Sequence, residues 1–175
     1  DGARIFNAAV ALNTTVKELA KNADSITCCL SKGLSAPVGS LIMGDEELIY
    51  KAHRIRKSLG GGMRQSGILA AAGIYSFDNM INRLEQDHEN AQLLAKELSE
   101  IDEIKIDLST IHTNILFFNL QNTNIKDEDL IIKLLNNNIK IDSKGNRKFR
   151  MVTHYGFEKE DIETVIIKLK NILKK

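Results

Sequence analysis

The sequence predicts an α/β protein in two parts. Short strand-like runs such as the β-branched Ser25–Leu30 and the apolar Asn114–Leu120 alternate with longer segments whose apolar residues recur at helical spacing. The texture also changes within a long helical stretch around Leu84 to Gln92. Long helices and small residues precede it, and short strands with amphipathic helices follow it. At 175 residues the chain can bury a core as one domain or one and a fraction. The division is placed at residues 1–87 and 88–175.

In chain order, Ala3 to Ala11 and the residue after it carry Ile5, Ala8, Ala9 and Leu12 at helical spacing, and Asn13, Thr14 and Thr15 interrupt it. Thr14 or Thr15 can cap a short helix, Val16 to Lys21. Ser25 to Leu30 reads as a buried strand, and Gly39 to Met43 as the next strand, closed by Gly44. Asp45-Glu46-Glu47 opens a helix whose last turns are basic (His53, Arg54, Arg56, Lys57), in accord with the helix dipole. Gly60-Gly61-Gly62 stops it. Arg64 to Tyr75, small and apolar, reads as a buried helix. A long helix then covers about Phe77 to Ser99, with Met80, Ile81, Leu84, Ala91, Leu94, Ala95 and Leu98 as its apolar stripe.

The second part reads as strands at Ile104–Leu108, Asn114–Leu120, Ile139–Asp142 and Lys148–Thr153. Helices start at Asp127 and Glu158. The arrangement is a small open-faced unit, helices over an antiparallel or mixed sheet.

Lys plus Arg number 24 and Asp plus Glu 23, a net charge of +1. That gives no electrostatic case for nucleic acid or a membrane surface as partner. No apolar run approaches the roughly 20 residues of a membrane helix, and no signal-peptide pattern is visible. Cys28 and Cys29 are neighbours inside a strand and so point to opposite faces. This argues against a framework disulfide and for a reducing, cytoplasmic setting.

The candidate chemistry gathers at Ser31-Lys32-Gly33, where an apolar run ends among small residues. The plain alternative for Lys32 is a surface lysine in a turn. Asp1 could N-cap the first helix, with Arg4 one turn on as its charge partner. Arg150 shares a strand face with Val152 and His154, opposite Phe149 and Met151. A solvent-facing edge arginine is its alternative, a description that suits Arg147 and Lys148 better. Gly60-Gly61-Gly62 before Met63-Arg64 could cradle a phosphate, hinge, or end a helix. His88 reads as an exposed helix position, and none of His53, His88, His112 or His154 is assigned a role.

Asp1-Gly2-Ala3-Arg4 followed by Ser31-Lys32-Gly33 resembles pyridoxal-phosphate enzymes of the aspartate-aminotransferase fold type. The likeness extends through four ordered blocks. They are Asp1-Gly2-Ala3-Arg4-Ile5-Phe6-Asn7-Ala8-Ala9, Cys29-Leu30-Ser31-Lys32-Gly33-Leu34-Ser35-Ala36-Pro37-Val38-Gly39-Ser40, Leu59-Gly60-Gly61-Gly62-Met63-Arg64-Gln65 and Arg150-Met151-Val152-Thr153-His154. Together they are similar to the low-specificity L-threonine aldolases of the β-eliminating lyase/threonine aldolase family.

The resemblance implies the following. Residues 1–87 are the C-terminal part of a large cofactor-binding domain, and 88–175 a small C-terminal α/β domain. The Asp-Gly-Ala-Arg block lies near the middle of the family's polypeptide, so the chain is expected to be a C-terminal half. The activity is cleavage of L-threonine or L-allo-threonine to glycine and acetaldehyde with pyridoxal 5'-phosphate, serving threonine breakdown and glycine supply. Lys32 is the Schiff-base lysine, in a dry cleft at a strand end. Asp1 keeps the pyridine nitrogen protonated. Arg4 lies beside the ring and the substrate carboxylate, Arg64 helps hold the phosphate or a lid, and Arg150 clamps the amino-acid carboxylate. The assembly is a homo-oligomer, dimer or tetramer.

The family's phosphate cup, ring-stacking aromatic and general base precede Asp1, so the chain alone is expected to be a poor aldolase. A related β-eliminating lyase, an aminotransferase and a non-catalytic interface piece are the rival readings.

Overall fold

Helices and strands follow one another along residues 1–174, which the computed structural model describes. The chain separates into two units, Asp1–Glu85 and Gln86–Lys175.

The first unit contains α1 (Ile5–Ala11), α2 (Val16–Ala20), β1 (Ser25–Cys29), β2 (Ser40–Gly44), α3 (Glu46–Ser58) and α4 (Gly67–Asn79). β1 and β2 pair antiparallel, with Ser25 opposite Gly44 and Cys29 opposite Ser40. Local chemistry sets the helix ends. The Thr15 hydroxyl accepts the Glu18 N–H at 3.1 Å, and the Asp45 carboxylate accepts that of Leu48 at 2.7 Å. The glycine run acts as a helix terminator. Gly60 sits at φ +84°, the Gly61 N–H donates to Arg56 O at 2.8 Å, and that of Gly60 to Lys57 O at 3.2 Å. Those two N–H groups are turned back onto the helix and are not open to an anion.

A small core fills this unit: Leu30, Leu34, Ala36, Met80 and Leu84, with Phe6, Val10, Phe77 and Ile81 against it. Three expectations from the sequence need correction. β1 is not a buried strand, since only Cys28 is fully covered and β2 is exposed throughout. α4 is not a buried helix either. Gly73 and Ser76 face inward, while Ile68, Ile74 and Tyr75 lie open. Its small residues permit close packing, but within this unit it touches its neighbours along one narrow line, where Gly73 meets Leu30.

The long helix expected from Phe77 to Ser99 is broken between Asn79 and Leu84. The Asn79 side chain donates to Tyr75 O at 2.9 Å at the end of α4. A turn then closes from the Leu84 N–H to Ile81 O at 3.1 Å. Met80, Ile81 and Leu84 still enter one cluster, so the apolar spacing runs unbroken through a turn it cannot reveal.

The second unit holds most of α5 (Leu84–Ser99), then β3 (Ile104–Lys105), β4 (Ile115–Leu120), α6 (Asp127–Leu135), β5 (Asp142–Ser143), β6 (Lys148–Val152) and α7 (Lys159–Leu173). The sheet order is β3-β4-β6-β5, antiparallel throughout. Leu116, Phe118, Phe149 and Met151 pack inward from the sheet against Leu94, Leu98, Leu130, Leu134, Ile162 and Leu169 from the helices. A capping box between Glu158 and Asp161 starts α7.

Two strands are shorter than expected. After Lys105, Asp107 accepts the Ser109 N–H at 3.0 Å and opens a 3₁₀ turn, Leu108–Thr110. Before Asp142, the Ile139 N–H closes the end of α6 on Leu134 O at 2.9 Å. His88 is buried, not exposed, because it shares the inward face of α5 with Ala91 and Ala95, three and seven residues on.

Arg147 is likewise not a solvent arginine. At φ +63° it donates from Nε to Leu120 O, from Nη1 to Ile125 O and from Nη2 to Thr123 O, at 3.4, 3.0 and 2.9 Å. Its own N–H reaches Asp127 at 3.1 Å. One guanidinium thus ties the β5–β6 turn to the segment entering α6. Arg147→Ala is expected to cost about 2 kcal/mol, because three carbonyls lose a charged donor. Chemical denaturation followed by circular dichroism checks this; a loss below about 0.5 kcal/mol, the scale of an ordinary surface change, contradicts it.

Candidate active site

The site is built on one face of β1. Alternation puts Thr27 and Cys29 on that face and Ile26 and Cys28 on the other. The chain start is stitched to it: the Gly2 N–H donates to Thr27 O at 2.8 Å. A Cβ on Gly2 would stand 2.8 Å from that same oxygen, so the close approach needs glycine. Asp1 Oδ1 accepts the Ala3 N–H at 2.9 Å and lies 3.5 Å from Thr27 Oγ1. Asp1 is therefore outside α1, whose N-cap is Arg4. The expectation that Asp1 and Arg4 sit one helical turn apart is corrected on this point.

Two residues along the same face, Cys29 Sγ accepts a hydrogen bond from Ser40 Oγ at 3.5 Å. That bond, then the charge and hydrogen bond of Lys32 and the charge of Arg4, hold the Cys29 thiol below its ordinary range, with burial opposing them. Burial does the reverse to Cys28, whose thiol is pushed up. Both cysteines are free.

Lys32 lies on the loop after β1, with its side chain exposed and not in the dry cleft expected for it. Gly33 beside it is buried. A Cβ there would stand 2.7 Å from Asn7 Oδ1 and 3.1 Å from Leu84 Cδ2, so the loop is packed tightly beneath the lysine.

Arg4, Lys32 and Cys29 are thus one electrostatic group, with Asp1 at the Thr27 end of the same face. Arg64 is not part of it. It is exposed beyond α3 and makes no hydrogen bond or ion pair among the described residues. Cys29 and Ser40 carry no role on sequence grounds, although both fall in the block around Lys32. The alternation of β1 and its pairing with β2 are the signals that place them beside the lysine.

Arg150 belongs to the second unit. Register sets it opposite Phe117 on β4 and Asp142 on β5. Its Nη2 pairs with Asp142 Oδ2 at 2.8 Å, and Lys144 reaches the same oxygen at 2.6 Å. Arg150 Nε is buried without an acceptor among the described residues. The Asp142 carboxyl is held below the usual range by Lys144 first and Arg150 after it. The end of β6 is pinned by Thr153: its N–H donates to Asn114 O at 3.0 Å and its hydroxyl to Asp87 O at 2.5 Å. The Asn114 amide donates to Thr153 O at 2.7 Å.

Residues 1–121 match the beta-eliminating lyase family. The chain belongs to that family. It is 40% identical over 163 residues to low-specificity L-threonine aldolase 1 of Arabidopsis thaliana, covering 93% of this chain and 46% of that protein. It is 44% identical over 165 residues to the low specificity L-threonine aldolase of Escherichia coli K12, covering 94% and 47%. This member of the family therefore spans about half the length of the curated relatives it matches.

Among solved structures, a Leishmania major threonine aldolase superposes with a TM-score of 0.69 at 21% identity, over 98% of this chain and 50% of that one. A Listeria monocytogenes protein described as a candidate L-allo-threonine aldolase gives 0.79 at 16%, over 99% and 51%. These likenesses establish the α/β fold. Among the described residues no cluster of His, Cys, Asp or Glu is arranged to hold a metal ion, and no helix is long and apolar enough to cross a membrane.

The two adjacent thiols give a direct test of the site's electrostatics. Cys29 is expected to alkylate faster than Cys28, with a half-maximal pH below that of a free cysteine, about 8.5. Iodoacetamide rates in Cys28→Ser and Cys29→Ser variants check this. Removing the Lys32 charge with Lys32→Gln should move the Cys29 midpoint up; an unchanged midpoint would mean that Lys32 does not act on the thiol.

Proposed function

We propose that this chain supplies the lysine, the pyridine-binding carboxylate and the carboxylate-binding arginine of an aldolase that uses pyridoxal 5'-phosphate. Its reaction would be the cleavage of L-threonine or L-allo-threonine to glycine and acetaldehyde. One observation carries the reading: Asp1 and Lys32 are set toward the two ends of the single β1 face that bears Thr27 and Cys29.

The donor set fits the cofactor. A carboxylate suits a protonated ring nitrogen, and a primary amine on a loop of small residues suits an aldehyde. When bound, pyridoxal phosphate supplies the electron sink for breaking the bond at Cα. Asp1 would hold the ring nitrogen, and its turn with Ala3 keeps that carboxylate aimed. Lys32 would hold the aldehyde carbon. Arg4, whose charge is felt at Cys29, adds positive potential on the side of the site that carries Lys32. Arg64 is assigned to the phosphate or a lid, on the strength of its block alone. Arg150 is assigned to the amino-acid carboxylate, which a guanidinium grips through two parallel N–H groups where an ammonium offers one point charge.

The exposed apolar residues of the first unit, Ile42 and Met43 on β2 and Ile49, Tyr50 and Ile55 on α3, support a homo-oligomer. The paired free thiols support a reducing, cytoplasmic setting. Threonine breakdown and glycine supply are the metabolic roles that go with the reaction.

Two variants of the whole protein test the assignments. Lys32→Ala should keep the fold and lose the pyridoxyl group that borohydride fixes at residue 32, read by peptide mass spectrometry; a group still fixed elsewhere in the site would reassign the lysine. Arg150→Lys should raise the KM for the amino acid about tenfold, near 1.4 kcal/mol, with cofactor affinity unchanged. Loss of cofactor affinity with an unaltered KM would remove Arg150 from the substrate. Product analysis separates the reaction classes: acetaldehyde for the aldolase, ammonia and a keto acid for elimination or transamination.

A further inference from the structure

Arg150 already has a carboxylate on it. Register places Asp142 of β5 directly across from Arg150 of β6, so both side chains share one face of the sheet. Asp142 Oδ2 takes Nη2 at 2.8 Å. Nε and Nη2 are the side-on pair of a guanidinium, the two N–H groups that grip a carboxylate in parallel. Here one of the pair is held by Asp142, and the other, Nε, is buried with no acceptor among the described residues. A buried donor left unmatched favours any acceptor that can reach it. A carboxylate arriving at Nε then meets Asp142 at Nη2. The hold is incomplete, because Lys144 draws on the same Oδ2 at 2.6 Å.

We propose that Asp142 is an internal competitor for the Arg150 guanidinium, setting the affinity of this arginine for a carboxylate ligand, and that Lys144 moderates it by sharing the Asp142 oxygen. The proposal rests on the assignment of Arg150 to the amino-acid carboxylate. Asp142 acts through Arg150 and touches neither substrate nor cofactor. Lys144 and Arg150 keep its carboxyl ionised well below neutral pH, so the competition is constant over the neutral range. The pair is half-exposed, 37% for Arg150 and 45% for Asp142, which limits the size of the effect.

The test is the KM and kcat of the whole protein for threonine, with glycine binding by calorimetry as a readout independent of turnover. Asp142→Asn keeps an acceptor oxygen and removes the charge. It should lower the KM and the glycine Kd about two- to fivefold, the scale of an exposed ion pair, with kcat unchanged. Lys144→Gln should shift both constants the other way by a similar factor, since Asp142 then bears on Arg150 alone. In an Arg150→Lys background the Asp142 substitution should lose most of its effect.

A raised KM in Asp142→Asn would show that Asp142 only steadies Arg150, and an unchanged one that it does not bear on the ligand; either overturns the proposal. If Arg150→Lys itself leaves KM and glycine affinity untouched, it is the assignment of Arg150 that fails, a separate result. Thermal unfolding of each variant identifies a change that merely destabilises the sheet.

Discussion

The carbonyl and amide of Leu30 are the point around which the lysine loop is wound. The Leu30 N–H donates to Gly39 O at 2.9 Å, and Leu30 O accepts the Ala36 N–H at 3.0 Å. A third bond, from the Ser35 N–H to Lys32 O at 2.9 Å, tightens the turn, and Ser35 takes φ +57° to allow it. Around this frame Leu30, Gly33, Leu34 and Ala36 are all buried, while Ser31, Lys32 and Ser35 are not. Lys32 faces solvent because its neighbours carry the packing. An ammonium group is almost never buried without a partner, and this loop meets that constraint by burying Leu30, Gly33, Leu34 and Ala36 while leaving Lys32 outside. The exposure of Lys32 and the burial of Gly33 are one fact about one loop.

The elements most legible in the sequence were those whose signals are local. Thr15 and Asp45 name helix starts because a cap acts within three residues, and the acidic first turn of α6 does so through the helix dipole. The antiparallel β1–β2 pair follows from two short runs with a turn between them. Burial was less legible. Cys28 and Gly73 face inward, yet the residues around them do not, because hydrophobicity records what a segment can pack against and not what lies within its own unit. The break at Met80–Arg83 was hidden for a related reason. A turn that returns Met80, Ile81 and Leu84 to one cluster preserves the spacing that a straight helix would show.

The site divides along the same line. Lys32 stood out because small residues, a glycine and the chain's only proline follow it closely, all readable in sequence. Asp1 was named by the Asp-Gly-Ala-Arg block alone, but its place beside Thr27, twenty-six residues away, was not readable, since it is β1 that receives the chain start. Cys29 lay in plain view beside Lys32, but its setting depends on Ser40, which arrives through strand pairing. The two arginines of the second unit are the sharper case. Arg147 and Arg150 are three residues apart, and nothing in their types separates them. Arg147 leaves the strand at positive φ and spends its donors on three main-chain carbonyls. Arg150 stays in register and keeps a donor unspent.

That difference follows from how each guanidinium is satisfied. Carbonyl oxygens are neutral acceptors held by the backbone, so Arg147 is fixed wherever the fold is intact, with each of its three guanidinium nitrogens already engaged. The partner of Arg150 is a carboxylate on a side chain, shared with a lysine and open to solvent. An ion pair of that kind is worth little by itself; under the role proposed for Arg150, that weakness is what would let one carboxylate replace another. The strand supplies the precision in its place. Thr153 and Asn114 pin the end of β6 through buried hydrogen bonds, and Phe149 and Met151 anchor its inner face. The position of Arg150 is therefore set by main-chain register and core packing, while its outer contacts remain weak enough to change. Lys32 is placed on the same principle: its loop is held by buried neighbours, and its own side chain is left open.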